Sequence, residues 1–214
     1  MRLFALLFAI LWGLSAPVQA EDHIPGLFRV IDVADDDTLN IRRGPGSSYE
    51  IMGEFLPDER DIEITGLSAN GKWGQTNFEG EAGWVFMRYL HAQAGSADNL
   101  PFGLACSGTE PFWSLAFNAD GTAAGEFWPM GLVDEGTTRY GAVWAARPTN
   151  RTTPKFGFRT MAETTGHGIR ASGIIRTESC SDGMSDREYG FSIDLLIRAG
   201  GAQTYVDGCC SLGE

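Results

Sequence analysis

Positive charge is scarce in this chain. Sixteen Lys and Arg stand against 28 Asp and Glu, a formal net charge of -12 over 214 residues. A nucleic-acid binder needs clustered Lys and Arg to displace counterions, so nucleic acid is excluded as a partner. The same balance argues against electrostatic docking on anionic lipid. Histidine is nearly absent, with His23, His91 and His167 the whole supply. Cysteine is missing until Cys106. Helix-period apolar patterns are hard to find. Beyond the first twenty residues no apolar run is long enough to cross a bilayer, so no stable membrane insertion is expected.

What is present begins with an address. Arg2 supplies a positive start, Leu3 to Leu14 is apolar, and Val18-Gln19-Ala20 has the small-residue form of a signal-peptidase site. Residues 1–20 read as a secretory signal, and the rest as a soluble exported chain. Glycine is abundant at 28 residues, and strand-like alternation recurs between tight turns. The fold class is all-β. The small polar run from His91 to Asn99 separates two units. Residues 21–92 form the first, 93–99 the linker and 100–214 the second. Glu21 to Ala92 carries 14 acidic and 6 basic residues; Gln93 to Glu214 carries 14 and 9. Neither half holds the basic patch of a polyanion binder.

In the first unit Phe28 to Val33 and Asp61 to Thr65 alternate as half-buried strands. Gly44-Pro45-Gly46, Asn70-Gly71 and Glu79-Gly80 supply turns. Five or so short strands this closely spaced make a small barrel. The ordered set Leu39-Asn-Ile-Arg-Arg-Gly-Pro-Gly-Ser-Ser-Tyr49, Gly53, Trp73, Gly83-Trp84-Val85 and Tyr89-Leu90 closely resembles the bacterial SH3 domain. That resemblance implies an SH3-like barrel that binds the cell wall or a peptide. Tyr49, Trp73 and Trp84 are the candidate aromatic contacts, with Asn40 and Arg42 as polar neighbours. The competing reading makes Trp73 and Trp84 packing residues, and for Trp84 that reading is preferred.

All four cysteines lie in the second unit, at 106, 180, 209 and 210. An even count in an exported chain reads as a disulfide framework rather than a zinc site, because paired C-x-x-C or His-rich spacing is missing. Adjacent Cys209 and Cys210 would strain if joined, which leaves two pairings open. Ser114 to Phe117, Phe156 to Arg159, Gly168 to Ile175 and Tyr189 to Ile197 read as strands of a barrel or sandwich. Gly108-Thr-Glu-Pro-Phe-Trp113, Cys180-Ser-Asp-Gly-Met-Ser185 and Gly208-Cys209 together resemble a sparsely characterised family of exported bacterial proteins. In that pattern the Cys180 and Cys209 positions recur. The implied pairs are therefore Cys180 with Cys209 and Cys106 with Cys210. Glu110, Trp113, Asp182, Met184 and Ser185 are its candidate surface.

Enzyme chemistry finds little footing. Cys106 with His167 lacks the helix N-terminus or neighbouring base that lowers a thiol pKa. One histidine in the unit does not make a zinc amidase. Glu110 and Asp182 could form a carboxylate pair for glycoside cleavage, but both also read as turn residues. No cofactor and no catalytic residue are expected. The leading function is an envelope binding protein engaging peptidoglycan or a wall-associated protein. The alternatives are a carboxylate hydrolase and an inhibitor of a wall-degrading enzyme.

Overall fold

The structure is a computed structural model. It describes residues 24–93, 101–127, 138–149, 155–162, 169–199 and 201–213. The signal segment, all of the linker but Gln93, and His167 lie outside the described residues. The fold is all-β, with seventeen strands and one single-turn 3-10 segment at Met87–Tyr89 among the described residues.

The first eight strands are β1 (Gly26–Val30), β2 (Leu39–Arg42), β3 (Ile51–Phe55), β4 (Ile62–Ile64), β5 (Gly66–Leu67), β6 (Trp73–Phe78), β7 (Glu81–Phe86) and β8 (Leu90–Ala92). β1 sits between β4 and β8, and the other five run in the order β3-β2-β7-β6-β5. Alternation decides which side chains go inside. Phe28 and Val30, Leu39 and Ile41, Ile62 and Ile64 are the inward members of their strands, and they pack with Phe55, Val85 and Leu90 into one core. The β6–β7 hairpin turns at Glu79-Gly80, where both residues adopt positive φ.

The other nine strands are β9 (Leu104–Thr109), β10 (Phe112–Phe117), β11 (Ala123–Phe127), β12 (Thr138–Tyr140), β13 (Trp144–Ala146), β14 (Lys155–Met161), β15 (Arg170–Cys180), β16 (Tyr189–Ala199) and β17 (Ala202–Leu212). Each pairs antiparallel with its neighbours, and β17 returns to β9. β12 and β13 are two pieces of one interrupted stave. β12 pairs with β11, β13 pairs with β14, and Tyr140 bridges Ala162 at the end of β14. The Gly141 N–H donates to the Met161 carbonyl at 2.9 Å across the same seam. The sheet thus closes on itself as an eight-stave up-and-down barrel, which removes open strand edges. Leu115, Ile175, Phe191, Ile193 and Leu195 fill its interior, with Phe117 edge-on to Phe158.

Both disulfides belong to this barrel. Cys106 and Cys210 are direct cross-strand partners on β9 and β17, both buried in the core. Cys180 joins Cys209 across 29 residues. Neighbouring strand residues face opposite ways, which is why Cys209 and Cys210 reach different partners.

The two units touch through built contacts. Asp186 bridges Glu81 in parallel, and its carbonyl accepts from the Ala82 N–H at 2.8 Å. The Glu63 carboxylate accepts from the Leu212 N–H at 2.8 Å. Leu27 reaches from β1 to pack against the barrel core.

Candidate functional site

A groove of about 750 Å³ crosses the first unit. One wall is aromatic. Trp73 and Phe86 are register partners on β6 and β7, with ring centroids 5.3 Å apart. Phe86 meets Tyr89 edge-on at 6.1 Å. The hairpin turn brings Trp73 to Phe86, and the 3-10 turn after β7 swings Tyr89 alongside. Asn40 and Arg42 contribute from β2, Asp32 and Asp37 from the loop between β1 and β2, and Lys72 from the turn before β6. This combination is what a peptide groove requires: rigid rings for apolar contact, and acidic and basic groups for orientation.

The residues named from the sequence divide. Trp73, Asn40 and Arg42 line the groove. Arg42 is partly committed, because its guanidinium donates to the Tyr49 carbonyl at 2.7 Å. Tyr49 and Trp84 are not among the lining residues. The Tyr49 ring, half exposed, lies over Gly44 so closely that a Cβ there would collide with it. Trp84 is half-buried between the Arg42 and Gln75 positions on neighbouring strands. Phe86, Tyr89, Lys72, Asp32 and Asp37 were missed. Phe86 was readable, since it shares a face with Trp84 by strict alternation in β7; Tyr89 depends on the turn that follows.

In the barrel, Glu110, Asp182 and Met184 line a second cleft of about 520 Å³ beside the Cys180–Cys209 bridge. Thr109 Oγ1 donates to the Asp182 carbonyl at 3.1 Å, holding the two loops together. Trp113 is not a surface residue. It is 5% exposed, with its indole N–H donating to the Asp207 carbonyl at 3.2 Å, so the expected surface loses its aromatic member to the core. The cause is the inward face of β10, which Trp113 shares with Leu115 and Phe117.

Asp182 is the hub of its loop. Its carboxylate accepts from the backbone N–H groups of Met184 and Ser185 at 2.9 and 2.8 Å, from the Ser185 hydroxyl at 2.8 Å and from the Tyr189 hydroxyl at 3.2 Å. Partial burial pushes the acid upward, but these hydrogen bonds to the charged form outweigh it and hold the group at about 2. A carboxylate engaged this way is ionised and occupied, the opposite of a general acid. Among the described residues no cluster of His, Cys, Asp and Glu is arranged to hold a metal ion.

No curated protein and no solved structure matches the chain, and the family resemblance read in the second unit is not confirmed. Residues 37–91 match the family model of the bacterial SH3 domain, the stretch that carries β2 to β7 and most of the groove, and that part of the chain is a bacterial SH3 domain.

Proposed function

We propose that the protein is an exported envelope binder whose SH3 groove takes a short extended peptide of peptidoglycan or of a wall-associated protein. The observation that carries this is the aromatic wall of Trp73, Phe86 and Tyr89 facing the polar residues Asn40, Arg42, Asp32 and Asp37 in one open groove. Its dimensions suit an oligopeptide rather than a folded partner. Two disulfides support an oxidising compartment, in keeping with the leader-like first twenty residues. The boundaries drawn at 21–92 and 100–214 fit the two separate cores.

The test is co-sedimentation with purified insoluble peptidoglycan, read together with the soluble products. Binding abolished by W73A with no muropeptides released supports the reading. Released muropeptides would replace it with a hydrolase, and no sedimentation at all would reject wall binding.

A further inference from the structure

The whole-chain charge hides a local one of opposite sign. Across the outward face of the barrel, strand register places residues in rows. One row runs Trp144, Arg159, Ser172, Leu196, Tyr205 from β13 to β17. The next runs Met161, Arg170, Arg198, Gln203 from β14 to β17. These two rows hold three arginines and four large apolar side chains, and no acid. Trp144, Met161, Leu196 and Tyr205 are 59%, 51%, 44% and 61% exposed. The three arginines are exposed as well. Among the described residues of this face the nearest acids stand in the following row, where Asp194 and Asp207 are cross-strand partners and Asp194 is held by Arg176 and by the Tyr205 hydroxyl.

Two features set this face apart from an ordinary solvated surface. Arg170 and Arg198 are direct cross-strand partners, an arrangement that costs stability because like charges oppose each other. Beside them lies a shallow, largely apolar depression of about 710 Å³ between Trp144 and Tyr205, floored by Gly157, Ser172 and Ile174 and bordered by Arg159 and Asp194. Exposed aromatic and aliphatic side chains interleaved with arginine are the composition of a water–lipid interface: rings and stems enter the apolar boundary while guanidinium groups stay among the headgroups.

We propose that this outward face of β13 to β17 docks on an anionic lipid bilayer. Shape favours a bilayer over an acidic peptide. The face spreads over five adjacent strands, roughly 19 Å at about 4.8 Å per strand, and lacks the enclosing walls that would grip one extended chain. Charge favours it too, since three arginines meet a negative surface while Asp194, the acid that lines the depression, is already paired with Arg176. The location is consistent. The SH3 unit docks at the Asp186–Glu188 end of β15 and β16, and Arg170 and Arg198 stand at the opposite end of those eleven-residue strands. The inference does not depend on what the SH3 groove binds.

The experiment is co-sedimentation of the purified protein with sucrose-loaded vesicles. One set contains phosphatidylglycerol and phosphatidylcholine in equal parts; the other contains phosphatidylcholine alone. Preferential binding to the anionic set is expected, weakening with salt. The R170Q/R198Q double variant should bind roughly thirtyfold more weakly, two charge contacts being removed. Its thermal midpoint should hold or rise, because a like-charge pair is gone, which separates lost binding from lost fold. Equal binding to both vesicle sets, or equal binding by the variant, would overturn the proposal. So would a dimer in sedimentation velocity that the same substitutions dissociate, or variant-sensitive binding to soluble polyglutamate without vesicle binding.

Discussion

The side-chain amide of Asn77 forms a two-way hydrogen bond with the backbone of Glu188: Nδ2 donates to the carbonyl at 2.9 Å and Oδ1 accepts from the N–H at 3.0 Å. An amide side chain fits this role because it is donor and acceptor at once. It extends strand-like pairing from the SH3 hairpin to the segment that leads into β16. Replacing it with Asp leaves the Glu188 carbonyl without its donor. N77D is expected to lose about 1–3 kcal/mol in urea unfolding, the cost of an unsatisfied, partly buried polar group. An unchanged midpoint would show that water replaces the contact freely.

Gly190 belongs to the same contact. A Cβ there would collide with the Pro25 ring, and the Thr65 carbonyl lies 3.1 Å away. G190A is expected to separate the two units without unfolding either core. Hydrogen exchange should then rise at Ala82 and Glu188, whose amides are bonded across this contact, while Phe28 and Leu115 stay protected. Loss of protection throughout would mean that the units fold as one.

For the groove, W73A is expected to weaken wall or peptide binding by about thirtyfold, the usual cost of about 2 kcal/mol for an aromatic anchor. F86A should act in the same direction, since the two rings form one wall. Y49A should leave affinity nearly intact and lower stability instead, because that ring covers the Gly44 turn. The reverse pattern, affinity lost with Tyr49 and kept with Trp73, would move the site to the Gly44–Tyr49 turn.

Asp182 gives the barrel an acid-labile loop. Its folded value of about 2 lies below the ordinary value of 3.8. A depressed carboxylate contributes stability that is present above its unfolded value and lost as pH falls through the folded one. The amides of Met184 and Ser185 should therefore lose protection between about pH 4 and pH 2. In D182N that titration should vanish and the loop should be looser at neutral pH. A titration that persists in D182N would assign it to another group.

The two disulfides should open in order. Cys106 and Cys210 are 2% and 0% exposed, whereas Cys180 is only half-buried and borders the second cleft. Attack by a thiolate needs access, so mild reductant in native buffer should open Cys180–Cys209 first. Alkylation followed by mass spectrometry reads the order directly; labelling at Cys106 and Cys210 first would contradict it.

The sequence by itself determined the class of structure. Period-two alternation and glycine turns dictate strands, because a strand's side chains face opposite sides and only glycine enters certain turns without strain. The SH3 stretch was legible for the same reason, its turns and aromatics being local in the chain. So was the use of all four cysteines as bridges. The groove was legible only in part. Trp73, Asn40 and Arg42 declare themselves, but Trp84 and Phe86 share one face of β7, and only the register that sets Phe86 opposite Trp73 shows which of the two lines the groove. Trp113 was misplaced because a conspicuous motif residue looks the same in sequence whether it caps a surface or fills a core.

Tertiary structure alone decided the rest. Closure of the barrel depends on Tyr140 meeting Ala162, and the join of the two units depends on Asn77 meeting Glu188, 111 residues away. The basic, apolar face has no counterpart in the linear sequence either. Arg159, Arg170 and Arg198 lie far apart along the chain, and the composition around them is acidic. Only strand register, fixed by which face of each strand is buried, brings those charges onto one surface.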